Sequence, residues 1–343
     1  MIGGKKIGVG IVTYNRKAGL IKLYQSLPRD IIDALVVVND GAYYPELGEL
    51  DCHLHHNEVN QGVGRSKNIA LRYLQAQEVD HFFLIEDDIF VKDPSVFARY
   101  IELSARTGIQ HFNFSQHGDK NVQPDGTPRP CYIMDYGDFV MPLYPACVGA
   151  FCYYSRACLE KVGLMDEIYY NAVEHLDHTY AVIKAGLHPS YHYFPDLDNS
   201  GQYLGDEGWS PQQSTISGKL SSRAISLVAA TYFQEKHGCL PPKIPVVSTE
   251  ALKKELATLK KRYAISASLV SYPFSALFTS ASLARFAFLA KRVFLSRLFF
   301  LPETCRLARI QKPLILLSHS GFALAALEKK CARPITLFYN NSF

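Results

Sequence analysis

Short apolar runs, each ending in a polar cluster, alternate along the first half of the chain with stretches whose apolar positions recur at helical spacing. Residues 7–14 (IGVGIVTY) and 34–38 (ALVVV) are apolar and largely β-branched, as strands buried on both faces must be. They end in Thr13-Tyr14-Asn15-Arg16 and Asn39-Asp40-Gly41. Between them, Leu20, Ile21, Leu23, Tyr24 and Leu27 predict a helix over 18–27 that Pro28 stops. Strand, helix, strand at this length is one right-handed βαβ unit. Residues 81–92 (HFFLIEDDIFVK) repeat the plan with a sharper ending. Phe82, Phe83, Leu84 and Ile85 predict a central parallel strand, and Glu86, Asp87 and Asp88 follow at its carboxyl end. Open α/β sheets bind their ligands at such ends.

Residues 57–74 (NEVNQGVGRSKNIALRYL) pass from a glycine turn at 60–64 into an amphipathic helix beginning at Arg65. A glycine turn opening a helix exposes backbone N–H groups that favour an anion, and Arg65 and Lys67 add mobile positive charge there. Further helices are predicted over 94–106, 157–162, 173–185, 220–237 and 250–262, with strands over 109–114 and 148–154. The Gly/Pro-rich loop 118–130 either lies over a site or is loosely held. The pattern predicts an α/β fold: a mostly parallel sheet flanked by helices, followed by a C-terminal helical extension.

Composition changes this picture mainly at the C-terminus. Apolar content of 48% and charged content of 20% are ordinary for a globular chain of 343 residues, long enough for one large domain or two. The net charge of +4 hides an asymmetry, because residues 264–343 hold ten Lys/Arg against two acids. A basic, aromatic tail on a mildly acidic body suggests a membrane surface or partner, or else a solvated helical extension. Arg285, Lys291, Arg292 and Arg297 do not share one helical face, which argues against an in-plane amphipathic helix. The expected divisions are a domain over 1–240, a linker and charged helix over 241–263, and the basic extension over 264–343. Eight cysteines without a CxxC pair read as reduced thiols in a reducing compartment. No secretory signal is visible, and the longest uncharged run, 263–284, contains Pro273 and several serines, so it is a poor span. These features suggest a cytoplasmic protein, with a peripheral place at the inner face of a membrane open to it.

Three consecutive carboxylates repel one another unless a cation lies between them; a hard divalent ion or a solvated acidic turn would each account for residues 86–88. Cys52, His53, His55 and His56 crowd together without metal-ligand spacing and read as surface. On the 173–185 helix, Glu174, Asp177 and His178 share a face, with His175 and His178 three apart. Acids in a first turn serve the helix dipole; two acids and two imidazoles together also suit proton transfer or ligand binding. The aromatic, polar stretch after Pro189, including Trp209, suits sugar faces or core packing.

The order TYNR, VVVNDG, NxGVGRSKN, LIEDD, GAFxxxSR and GLMDExxxNAVEHLDHTYAVIKAG resembles a family 2-type glycosyltransferase of the GT-A (Rossmann-like) fold, over residues 5–240. Nothing after 263 matches that pattern. The resemblance implies a nucleotide-diphosphate sugar donor such as a UDP-sugar, Mn²⁺ or Mg²⁺, and inverting transfer of a hexosyl or N-acetylhexosaminyl group. The receiver would be a hydroxyl of a glycan or glycolipid in bacterial surface polysaccharide synthesis, with no nucleic-acid partner. Carried over by residue, Thr13, Tyr14 and Asp40 would line base and ribose with Asn15 beside them. Asn60, Gly62, Arg65 and Asn68 would sit near the nucleotide and its phosphates. Glu86-Asp87-Asp88 stands at the DxD position: Asp88 for the metal, Asp87 for the ribose, Glu86 in support.

The family commonly carries Glu-Asp at the start of the later helix, whereas this chain has Glu174-His175 followed by Asp177. The base is then Glu174, with His175 orienting it or approaching the metal, or His175 itself; Glu174 is preferred. His178 and His192 are lesser metal candidates. A sugar-phosphate nucleotidyltransferase would usually place a longer glycine-rich basic loop after the first strand than Asn15-Arg16-Lys17. A non-catalytic carbohydrate-binding or scaffold protein would not need intact acids at 86–88 and 174–177.

Overall fold

The computed structural model describes residues 1–207 and 220–264. Trp209 and, from residue 265, the basic extension lie outside the described residues, and with them the expectation of a membrane or partner contact. The chain runs β1 (Ile7–Thr13), α1 (Lys17–Ser26), β2 (Ala34–Asn39), β3 (His53–His56), α2 (Val63–Ala76), β4 (His81–Glu86), β5 (Ile89–Val91) and α3 (Val96–Thr107). It continues β6 (His111–Asn113), β7 (Tyr132–Asp135), β8 (Val140–Tyr144), β9 (Phe151–Ser155), α4 (Arg156–Val162), α5 (Glu174–Lys184), β10 (Phe194–Pro195), β11 (Leu204–Asp206), α6 (Leu220–His237) and α7 (Thr249–Tyr263).

The expected mostly parallel sheet is present, with six strands in the order β3-β2-β1-β4-β9-β6. β1, β2, β3 and β4 run parallel, and the apolar runs of β1, β2 and β4 are buried on both faces. The register pairs Thr13 with Asn39 and Val12 with Glu86, so the polar ends of three strands arrive at one edge of the sheet. β9 runs antiparallel to β4 and β6, so its entry loop, residues 147–150, reaches that same edge. There the Glu86 N–H donates to the Ala150 carbonyl at 2.8 Å.

On one face of the sheet, Leu20, Leu23, Phe97, Tyr100 and Ile101 pack against Ile7, Val9, Phe83 and Phe151. On the other, Ala70, Leu71 and Leu74 of α2 meet Val36, Val38, Phe82 and Leu84, with Leu159 of α4 and Val182 of α5 beside them. Each fully buried Val, Leu, Ile or Phe among them contributes roughly 1.5–3 kcal/mol relative to exposure.

The segment 241–263, expected as a linker and charged helix, is tied into this core: Leu252, Leu256 and Leu259 of α7 are buried beside α3. Glu250, Lys253, Lys254, Lys260 and Lys261 occupy its exposed face, while Glu255 accepts from the Ser190 N–H and hydroxyl. The β7–β8 hairpin that follows the 118–130 loop was not anticipated, because Pro142 interrupts its short alternating run. β11 pairs antiparallel with β5, Asp206 opposite Ile89, which draws Asp206 to the acidic strand end. The six cysteines among the described residues are free thiols. No helix among them is long and apolar enough to cross a membrane.

Candidate active site

The edge where β1, β2 and β4 end opens onto a cleft of about 570 Å³. Thr13, Tyr14, Asp40, Asn60, Glu86, Asp87 and Asp88 line it together with Glu174 and His175, which come from the first turn of α5. Cys147, Val148, Gly149 and Ala150 of the β9 entry loop complete the wall between the two groups.

Asp87 and Asp88 are both buried. Asp87 Oδ2 accepts from Thr13 Oγ1 at 2.8 Å and from the Tyr14 N–H at 3.1 Å. Arg16 Nη1 lies 3.1 Å from Asp87 Oδ1 and 3.1 Å from Asp88 Oδ2. Burial nevertheless pushes the Asp87 carboxyl up to about 7, against the pull of Arg16 and Thr13. Asp88 is also raised, by burial and then by the charge of Glu86. Beside them, burial pushes His117 down, but Asp206 at 2.7 Å and Asp88 outweigh it, holding the imidazole above its ordinary value. This strand end carries more negative charge than one arginine neutralises.

Glu86 points away from its neighbours, toward Lys67 of α2. Lys67 is 1% exposed and its Nζ lies 2.7 Å from Glu86 Oε1, 3.1 Å from Glu174 Oε1 and 3.1 Å from the Gly149 carbonyl. Burial disfavours the ammonium, yet Glu86 and Glu174 together hold its pKa above the ordinary lysine value. The same pairing acts in reverse on the acids: burial raises both, Lys67 outweighs burial, and both carboxyls stay below their usual range. Glu174 is 2% exposed and its Oε1 also meets His175 Nδ1 at 3.1 Å. His175 is the more open of the two, its side chain 24% exposed. Val173, just before them, is held at φ 72, a conformation that β-branched residues rarely adopt and that marks strain where the chain turns into α5.

Not every expected residue reaches the cleft. Asp177 is buried and tied to Tyr169, Lys236 and His237, so it fastens α6 to α5. Asn68 is buried, donating to the Met165 carbonyl and to Glu167. Arg65 is exposed and meets Gln61 and Glu167. Asn15, at φ 58, accepts from the Ala42 N–H through Oδ1 and shapes the turn outside the cleft lining. The N–H groups at the start of α2 are also engaged, Gln61 and Gly62 donating to Asp40 and Val63 to Asn171. That turn is therefore organised by protein carboxylate and amide groups, and Lys67 beneath it is fixed rather than mobile.

Gly62 is required there: at φ 87, a Cβ would lie 2.2 Å from the Tyr170 carbonyl oxygen. His178 donates from Nε2–H to the Gly163 carbonyl, and His192 from Nε2–H to the Ile244 carbonyl, both away from the acids of the cleft. His53 stacks on Tyr73 and His56 meets Asn39, so the histidine-rich strand is occupied by packing.

A divalent cation can be tested against these residues. Asp88 Oδ1 is buried without a hydrogen-bond partner, on the wall of the cleft, and both Asp88 and the adjacent Asp87 are raised. Among the described residues no group of three or more His, Cys, Asp or Glu is arranged to hold an ion. Mg²⁺ and similar hard ions use one or two carboxylates and complete their shell with substrate phosphates and water, so a lone Asp88 oxygen fits that donor set.

No family model matches the chain. It is similar to an uncharacterized glycosyltransferase of Acanthamoeba polyphaga mimivirus, 24% identical over 218 residues that cover 58% of this chain and 80% of that protein. Among solved structures it is similar to a mannosyltransferase from Pyrobaculum calidifontis in complex with GDP-Man and Mn²⁺. That likeness has TM-score 0.45 and 14% identity, covering 85% of this chain and 82% of the other. TarS of S. aureus follows at TM-score 0.43 and 14% identity, covering 75% of this chain and 43% of its own.

Several cleft residues escaped the sequence reading: Arg16, His117, Asp119, Asn171 and Asp206. Arg16 stood inside the TYNR motif without a role. His117 and Asp206 are 89 residues apart and meet only through the β5–β11 pairing, which no local pattern announces. Lys67 did leave a signal, since Lys67, Ala70, Leu71 and Leu74 share one helical face and the other three are apolar.

Proposed function

We propose that this chain is a metal-dependent glycosyltransferase that takes a sugar from a nucleotide-diphosphate sugar, such as a UDP-sugar, and gives it to a hydroxyl acceptor. The observation that carries the reading is the convergence on one cleft of Thr13, Asp40 and Glu86–Asp88 from parallel strand ends with Glu174–His175 opposite. Ligands of open α/β sheets bind at such an edge. The similarity to a viral glycosyltransferase supports the same reading.

In this proposal Asp88 holds a divalent cation, which would supply Lewis-acid stabilisation to the departing diphosphate. Thr13, Tyr14 and Asn60 line the nucleotide side, and Arg16 offers a second positive charge next to it. Asp87 positions Thr13, Tyr14 and Arg16; its contacts with them support that task better than direct contact with a ribose.

The general base is placed at His175 rather than Glu174. Glu174 is enclosed, held by Lys67 and kept ionised well below the usual carboxylate range. Its Oε1 accepts from His175 Nδ1–H, an assignment of tautomer that leaves Nε2 free to take a proton. The acceptor O–H then loses its proton to Nε2 as its oxygen bonds the anomeric carbon and the bond to the diphosphate breaks. A base across the cleft from the leaving group favours in-line displacement, hence inversion. A glycan or glycolipid acceptor, as in surface-polysaccharide assembly, rests on the motif resemblance. A peripheral contact through 264–343 rests on that segment's basic, aromatic composition; unchanged fractionation of the chain without it would remove the idea.

The test is incubation of the full chain with Mn²⁺ and UDP-glucose, UDP-N-acetylglucosamine or GDP-mannose, following release of UDP or GDP. Metal-dependent release is expected. Pyrophosphate release from UTP and glucose 1-phosphate would instead establish a nucleotidyltransferase. Binding of these donors without release of nucleotide, either to water or to an added panel of glycan acceptors, would establish a non-catalytic protein.

A further inference from the structure

Lys67 lies outside every step above, yet it is the buried charge on which the two sides of the cleft meet. Its Nζ touches Glu86 at the end of β4, Glu174 at the start of α5 and the carbonyl of Gly149. The His175 ring rests on that same Gly149, whose absent Cβ would lie 2.6 Å from His175 Cγ. One cation thus fixes the carboxylate that faces His175 Nδ1 and the backbone on which the ring lies. A buried lysine with two carboxylates and a carbonyl has all three of its N–H donors engaged.

Resting on the assignment of the base to His175, we propose that Lys67 is a positioning residue for that base. By holding Glu174 ionised and in place, it sets the Nδ1–H tautomer of His175 and keeps Nε2 toward the cleft. It also ties that geometry to the acidic strand end through Glu86, so base and leaving-group side are held at a fixed separation. Without the ammonium, two buried carboxylates lose their shared counter-ion, and Glu174 no longer has a fixed orientation from which to accept the His175 proton.

The experiment is a double-mutant cycle on the full chain with Lys67→Met and His175→Gln, reading Mn²⁺-dependent release of UDP from UDP-glucose, or of the leaving nucleotide from whichever tested donor turns over. Folding is checked by circular dichroism. Lys67→Met is expected to lower kcat about 100-fold, the scale on which misplacing a catalytic group acts. In the His175→Gln background the same change should cost less than about 3-fold, since its route is already gone. Multiplying losses, or a wild-type kcat in Lys67→Met, would overturn the proposal. Should Lys67→Met not fold, Lys67→Arg, which keeps charge but not shape, takes its place with the same non-additivity expected.

A second readout is independent of turnover: ¹⁵N chemical shifts of the labelled His175 ring. The wild type should show a single Nδ1–H tautomer and the Lys67 variant a mixture. A wild-type rate in His175→Gln with the tautomer still dependent on Lys67 would remove the base assignment and leave the positioning role standing. A tautomer indifferent to Lys67 would remove the positioning role alone.

Discussion

The His175 ring lies directly against Gly149, close enough that a methyl group on that glycine would stand 2.6 Å from Cγ and 2.7 Å from Nδ1. The β9 entry loop therefore forms the bed of the ring. Gly149→Ala should displace it and lower kcat by about 10- to 100-fold while leaving the KM for donor near its original value. Steady-state kinetics of nucleotide release checks this, and a selective rise in KM would speak against it.

Glu174→Gln should be costly to the fold as well as to turnover. It removes one of two carboxylates facing buried Lys67, and breaking such a pair costs roughly 3–5 kcal/mol, toward the lower end here because Glu86 remains. His175→Gln, at a partly exposed ring, should cost less than about 1 kcal/mol. Urea unfolding of the two variants separates them, and equal stability would contradict the ion-pair arrangement.

Asp88→Ala should abolish the response to Mn²⁺. Loss of Lewis-acid help worth several kcal/mol corresponds to a fall in kcat of about 10²- to 10³-fold. Titration of Mn²⁺ into wild type and variant, read by electron paramagnetic resonance in the presence of UDP, tests the site without relying on turnover. Equal Mn²⁺ binding by the two would exclude Asp88 as its ligand.

Gly62→Ala meets two obstacles, a left-handed φ of 87 and the Tyr170 carbonyl oxygen 2.2 Å from the new Cβ. A strained backbone of this kind costs about 1–3 kcal/mol, and the clash displaces the turn that carries Asn60. Lower thermal stability together with weaker UDP binding is expected; an unchanged melting temperature would show that the turn adapts.

Stability should also fall in mild acid. Burial pushes His188 down to about 4 from an ordinary 6.5, and His111 well below its ordinary value. Between pH 6.5 and about 4 the unfolded chain binds protons that the folded chain refuses, so stability is full above 6.5 and is lost as pH falls through this window. The His188 contribution at pH 5 is about 2 kcal/mol. Protonation would place a charged Nε2–H where that atom has no hydrogen-bond partner. Urea midpoints at pH 7.5 and 5.0 measure the loss, and His188→Phe should shrink the difference.

What the sequence determined by itself was the frame and the acidic half of the cleft. Runs such as ALVVV and HFFLIE can satisfy their backbone and bury both faces only as interior strands, and their polar endings must then collect at one sheet edge. That is a local property, legible in the run and its terminator. Tertiary structure alone decided which charges became partners. Asp177 and Glu174 stand three apart on one helix, yet Asp177 is claimed by Lys236 and His237, some sixty residues on, and Glu174 by Lys67 of α2. Burial without a counter-ion is costly for any charge, so each acid goes to whatever cation the packing brings within reach, and that cation's place in the chain is not written in the acid's own neighbourhood.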